Sequence, residues 1–306
     1  MPGPVSEPES GPGPESGPPG RRQRLPLRLR LGINLMAWAG GVGPAELDLL
    51  PGIAALGYDG VELPVFAPEA VDPPAVRRAL AAAGLACTVS TALPRAASLL
   101  DPRRRPAAVD FLDRCAAVAA ACGAGVLCGP LYAPVGELPG RPRLAAEWRA
   151  AVDGLRAAGE RAAGHGVTLA VEVLNRFETH FLNTAADATA LLDEVAHPAV
   201  RLHLDTFHMN IEERRLPAAL ATGMRHLAHV HAAENDRGSP GSGHVDWTGL
   251  RDALRAGGYT GWVVAETFTG AIPEIAAATA IWRPVVPDAW TYARDAAAFL
   301  RPLLTA

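Results

Sequence analysis

Four apolar runs in the second half of this 306-residue chain each carry one ionisable residue near the C-terminal end. They are Glu172 in VTLAVEVL (167–174), Asp205 in VRLHLDTF (200–207), His231 in HLAHVHAAE (226–234) and Glu266 in GWVVAETF (261–268). An isolated carboxylate taken out of water costs several kcal/mol unless it is paired or bound to a cation. A buried arginine or a backbone amide could meet any one of these residues alone. The same feature on four consecutive runs points instead to one shared centre. Three carboxylates converging there would repel each other unless a divalent cation sat between them. Three oxygens and one imidazole, with no thiolate, favour an open site for Mn²⁺, Co²⁺ or Mg²⁺ over a closed structural zinc cage.

Other polar residues fall just beyond the four. Glu178 lies six positions after Glu172, His208 three after Asp205 and Arg237 six after His231. All three belong to loops that would roof the centre. His208 competes with His231 for the ligand role. His231 sits within a run and His208 after one, so the metal is assigned to His231 and substrate contact to His208. His226, His229 and Glu62 are read as structural groups.

The elements that position these residues repeat along the chain. Four earlier apolar runs, at 31–38, 59–66, 86–91 and 125–132, precede the four above, and Ala/Leu/Arg-rich helical stretches separate all eight. Near-continuous apolar strands flanked by helices mark a parallel sheet covered on both faces. Helix starts are expected at Asp101-Pro102 and at Thr184, before AADATALLDEV. Helix ends carry Gly84 and Gly258. Eight strand–helix units predict an α/β fold, a TIM (β/α)8 barrel, whose catalytic face lies at the C-terminal ends of the strands. An open doubly wound sheet would need a glycine-rich phosphate loop after the first strand, and INLMAWAGGVG does not match GxGxxG. The barrel forms one domain, 29–306. Residues 1–20 hold seven Pro and five Gly with Val5 as the only branched apolar residue, so 1–28 is expected to be a disordered tail.

Composition removes several classes. With 28 basic and 32 acidic side chains, net charge −4, the chain lacks the basic excess of a nucleic-acid binder. No run is long and charge-free enough to span a bilayer, and arginines interrupt any apolar segment near the start. The cysteines at 87, 115, 122 and 128 show no CxxC pairing and read as core-filling thiols in a reducing compartment, which places the protein in the cytoplasm.

The segments VEVLNRFETHFLNT (171–184), LDTFHMNIEE (204–213), HVHAAENDRGSPGSGHVDW (229–247) and GYTGWVVAETF (258–268) resemble the D-tagatose/D-allulose 3-epimerases. These are members of the xylose isomerase-like TIM barrels of sugar isomerases and epimerases. The likeness covers most of residues 29–300 and is dense from 167 to 268. It implies that Glu172, Asp205, His231 and Glu266 bind the metal, Mn²⁺ foremost, and that Glu172 and Glu266 double as the acid/base pair. It also implies that Glu178, His208 and Arg237 hold the sugar's hydroxyls and carbonyl end, and that copies of the barrel associate as a dimer or tetramer. The loop AENDRGSPGSGHVDW departs from the family pattern, and the first-strand loop offers only Trp38 as an aromatic to stack on a sugar.

The expected reaction is epimerisation of a free ketose at C3. A proton leaves the carbon beside the carbonyl and one returns on the opposite face, through an enediolate that the cation stabilises. Same-fold alternatives are an aldose–ketose isomerase or a sugar lyase such as a C-glycoside deglycosidase subunit. A nuclease resembling endonuclease IV would need a richer histidine set and a basic surface. A non-catalytic sugar-binding barrel would have had to keep every site residue.

Overall fold

The computed structural model describes residues 29–305, together with Met1 and Gly3; the expected tail otherwise lies outside the described residues. Eight strands close into a barrel in chain order. They are β1 (Arg30–Asn34), β2 (Gly60–Pro64), β3 (Ala86–Ser90), β4 (Val126–Gly129), β5 (Thr168–Glu172), β6 (Val200–Asp205), β7 (Leu227–Ala232) and β8 (Trp262–Ala265). Every neighbouring pair is parallel, and β8 closes on β1 through Leu31 opposite Val263 and Ile33 opposite Ala265. This is the TIM barrel. All eight expected strands are present, each ending one to four residues earlier than its apolar run suggests, because the chain turns off into the loops that build the site.

Helices cover the outside. Thr184 caps Ala185–Val195 by accepting from the Asp187 N–H at 3.1 Å, as its position before AADATALLDEV predicts. Gly84 ends Pro73–Ala83 in the left-handed conformation, φ +67°. The helix expected to start at Asp101-Pro102 starts later, as Arg105–Cys122. The Asp101 carboxylate instead accepts from the Arg103 N–H at 2.9 Å, which closes a turn ahead of the helix. All four cysteines are free and buried, as expected of packing thiols.

Inside the barrel the side chains stack in layers. Trp262 fills the lower layer, with the Arg30 guanidinium 4.4 Å from its ring. A Cβ at Gly60 would lie 2.6 Å from the Trp262 ring, so the small residue makes room for the large one. Above it the register aligns Asn34 with Glu62 and Glu62 with Thr88, all fully or nearly fully buried. Polar groups at that depth must be hydrogen-bonded. The next layer upward holds the C-terminal ends of β5 to β8.

Candidate active site

Glu172 and Asp205 are the last residues of β5 and β6, His231 is the penultimate residue of β7, and Glu266 follows β8 directly. All four are buried, and register brings Asp205 beside His231. One ligand-type atom each of Asp205, His231 and Glu266 lie within 4.8 Å of one another, and so do one each of Glu172, Asp205 and His208. The four predicted residues thus meet around Asp205. His231 Nδ1 lies 3.0 Å from Glu266 Oε1.

Asp205 is divided between two roles. Its Oδ1 accepts from the Phe207 N–H at 2.9 Å, capping the helix Thr206–Glu212. Its Oδ2 is buried with no hydrogen-bond partner. A buried carboxylate oxygen without a donor is costly, and a cation facing it removes that cost. Three carboxylates and one imidazole therefore fit a hard or borderline divalent ion.

The electrostatics agree. Burial, reinforced by repulsion from Glu266 and Asp205 against the pull of His231, holds the Glu172 carboxyl well above its ordinary range. Burial and then Glu266 push the Asp205 carboxyl up to about 7. Burial works against a charged His231, but Glu266 and Glu62 outweigh it and hold the ring well above the usual imidazole range. A site that strains to keep its carboxylates ionised is one built for positive charge.

His208 lies within the helix after β6 and not in a loop, and it is buried. Its Nδ1 receives the backbone N–H of Asn175 at 3.1 Å, and an N–H only donates. The other nitrogen, Nε2, meets a second donor, Arg237 Nη2 at 3.1 Å, and faces Glu172 Oε1 at 3.6 Å and Asp205 Oδ2 at 3.7 Å. Each ring nitrogen of His208 therefore faces a donor, and Nε2 is the one turned toward Glu172 and Asp205. Burial, and then the Arg237 guanidinium with Nη2 at 3.1 Å, keep the ring from taking a second proton.

Arg237 is itself buried, stacked between Phe207 and Phe268 with its Cζ 4.0 and 4.5 Å from the ring centres. Its backbone is left-handed, φ +63°, and its carbonyl accepts from Thr267 Oγ1 at 2.7 Å. Glu178 accepts from Asn175 Nδ2 at 2.9 Å, so one asparagine aligns both Glu178 and His208.

Glu172, Glu178, His208, His231, Arg237 and Glu266 all line one cavity of about 590 Å³. Apolar side chains complete the lining, Met36, Phe66 and Phe268 among them. Trp38 is not part of that lining and packs edge-on against Trp290 at 5.3 Å. Arg176 is paired with Glu212 and Arg283 with Asp236. His226 pairs with Asp193 at the far end of β7, a structural contact. Glu62 and His229 are fully buried beneath the cluster, with Glu62 Oε1 2.6 Å from His231 Nε2. The signal for Glu62 was a carboxylate inside an apolar strand, the same signal that marks Glu172.

A parallel eight-stranded barrel with acidic and imidazole side chains gathered at its C-terminal face is a TIM-barrel enzyme with a cation-type site. Residues 52–303 match the model of the xylose isomerase-like TIM barrel family. A probable ketose 3-epimerase of Synechocystis sp. is 33% identical over 276 residues, 90% of this chain and 96% of that protein. A ketose 3-epimerase of Arthrobacter globiformis is 35% identical over 283 residues, 91% of this chain and 98% of that protein. The crystal structure of a D-allulose 3-epimerase from Methylomonas sp. in complex with D-allulose has a TM-score of 0.85 at 31% identity, over 90% of this chain and 98% of that one. This chain belongs to the xylose isomerase-like TIM barrel family, among its ketose 3-epimerases, which are isomerase-class enzymes. Among the described residues, no helix is long and apolar enough to cross a membrane.

Proposed function

We propose that this protein is a divalent-metal-dependent 3-epimerase of free ketoses, of the D-tagatose, D-allulose, D-fructose and L-ribulose class. The observation that carries the reading is that Glu172 and Glu266 line one cavity with Asp205 between them. Glu172, Asp205, His231 and Glu266 would hold the ion, Mn²⁺ in first place and Co²⁺ or Mg²⁺ as substitutes. Bound there, it would polarise the ketose carbonyl and the adjacent hydroxyl and stabilise the enediolate charge.

The chain's own groups do the rest. Glu172, whose carboxyl burial holds above its ordinary range, is the acceptor of the C3 proton. Glu266, reaching the cavity from β8, is the matching donor for the opposite face of C3, and the two exchange roles in the reverse direction. His208 meets a substrate hydroxyl through Nε2, Arg237 fixes the carbonyl end, and Glu178 accepts from a hydroxyl. The apolar wall limits water at the reacting carbon. The enzyme acts in the cytoplasm as a homodimer or homotetramer.

The test is product analysis of D-fructose, D-allulose, D-tagatose and L-ribulose incubated with the metal-free chain, with and without added Mn²⁺. Metal-dependent formation of C3 epimers is the expected result. An aldose product would move the assignment to aldose–ketose isomerisation.

A further inference from the structure

Glu62 sits on β2, one layer below the cluster, and is fully buried. Its Oε1 accepts from Asn34 Nδ2 at 2.9 Å and lies 2.6 Å from His231 Nε2. Its Oε2 accepts from Thr88 Oγ1 at 2.8 Å and from Cys128 Sγ at 3.2 Å. A carboxylate has about four lone-pair sites, and these partners from β1, β7, β3 and β4 take them. His229 Nε2 is also 2.7 Å from Oε2, off the line of a hydrogen bond. Because its partners stand on four different strands of one closed barrel, the carboxylate cannot turn away from His231.

We propose that Glu62 is a positioning residue for the site: by accepting the Nε2 proton of His231, it leaves Nδ1 as the lone pair that faces Asp205 and Glu266. This role rests on the reading of His231 as a ligand. A ligating imidazole carries one proton, and the hydrogen bond at the other nitrogen decides which nitrogen holds it. The competing tautomer would put a proton on Nδ1, which lies 3.0 Å from Glu266 Oε1 but off the line of a hydrogen bond. Glu62 opposes it, because Oε1 at 2.6 Å would then face a second lone pair in a buried place. The His203 ring, edge-on to His231 at a centroid distance of 4.1 Å, restricts rotation of the imidazole. His208 differs, with Nδ1 meeting a backbone N–H and Nε2 meeting the Arg237 guanidinium at 3.1 Å. Of the two histidines beside Asp205, His231 is the one whose far nitrogen meets a carboxylate that can hold its proton.

The test combines two readouts on the full-length chain. Long-range ¹⁵N–¹H NMR of the histidine-labelled, metal-free protein in alkaline buffer, with the His231 signal assigned through H231Q, reports the tautomer. Calorimetric titration with Mn²⁺ reports ion affinity. In the wild type the proton is expected on Nε2. In Glu62→Gln, whose amide can turn either its oxygen or its NH₂ toward His231, the spectrum should show mixed tautomers, and affinity should fall about 10- to 100-fold while circular dichroism stays unchanged. A wild-type spectrum with the proton on Nδ1 overturns the proposal and needs no variant. So does a Glu62→Gln chain with wild-type tautomer and wild-type affinity. A second bound ion lost in Cys128→Ser would also overturn it, because Glu62 would then be a ligand itself. If the wild type binds no ion at all, the ligand reading of His231 fails, and the tautomer spectrum still decides the role of Glu62 separately.

Discussion

Asp205→Asn should weaken ion binding and strengthen the metal-free fold, and the two effects come from one oxygen. The asparagine side-chain oxygen can keep the 2.9 Å cap to the Phe207 N–H, so the start of the helix after β6 survives. What changes is Oδ2, buried and without a partner. In the metal-free protein burial, and then Glu266, push this carboxyl from 3.8 up to about 7. A raised carboxyl pKa means that the folded state favours the protonated form. Stability is therefore lost as pH rises from about 4 to about 7, and at neutral pH the loss approaches 4 kcal/mol at 1.36 kcal/mol per unit. Asparagine carries no charge there and recovers much of that loss. For a domain of this size each kcal/mol moves Tm by about 2–4 °C, so the metal-free variant should melt about 5 °C or more above the wild type at neutral pH. Against the ion, loss of one carboxylate charge costs at least the ~4 kcal/mol of two unit charges 4 Å apart at an effective dielectric constant near 20, or at least ~10³-fold in Kd. Calorimetric titration with Mn²⁺ and thermal scans with and without the ion measure both. Wild-type Tm should climb with Mn²⁺ concentration and the variant's should not. A variant that binds Mn²⁺ as tightly as the wild type, or whose metal-free form melts several degrees lower, would refute the reasoning.

Three further outcomes follow from particular contacts. Glu266→Gln keeps a side-chain oxygen for Asn34 Nδ2, now at 3.2 Å, so the chain should fold, while turnover falls at least 10²–10⁴-fold; near-wild-type turnover would remove Glu266 from the acid/base pair. Gly129→Ala places a Cβ 2.0 Å from the Thr91 carbonyl oxygen at φ +131°, a strain of about 3 kcal/mol or more that should lower Tm by at least 6 °C, and an unchanged Tm would contradict it. The Arg141 hydrogen bonds hold the Glu147 carboxyl down at about 2, so its stabilisation is present above pH 4.5 and lost as pH falls from there through about 2. Glu147→Gln should lower Tm by the equivalent of about 1 kcal/mol at neutral pH and leave it unchanged at the acid end; a constant offset across the whole range would show that charge is not the cause.

The sequence revealed much of the site because the barrel turns chain order into space. Each buried strand with a carboxylate or imidazole near its end announces a costly group, and strand ends of a parallel barrel share one face. Glu172, Asp205, His231 and Glu266 were legible on that ground. The division of labour between two histidines was reached from their positions alone, but its physical basis lies in which nitrogen meets a backbone N–H or a carboxylate, and no spacing encodes that. Glu62 carries the same buried-carboxylate signal as Glu172 yet reads as structural from the sequence, and its partners on β1, β3, β4 and β7 come together only through the register. Strand ends were overestimated, and the helix after Asp101 begins late, because apolar character continues into the loops and an Asp turn competes with a helix cap.

The central claim is proton exchange at C3 of a ketose, and the most direct measurement is NMR of the reaction in heavy water. The Mn²⁺-reconstituted chain is incubated with D-allulose, D-fructose, D-tagatose or L-ribulose, the ion is removed, and the recovered sugars are examined. The account predicts the C3 epimer carrying solvent deuterium at C3, with no label at C1. Deuterium at C1 with an aldose product, or an epimer that keeps its original hydrogen at C3, would contradict it.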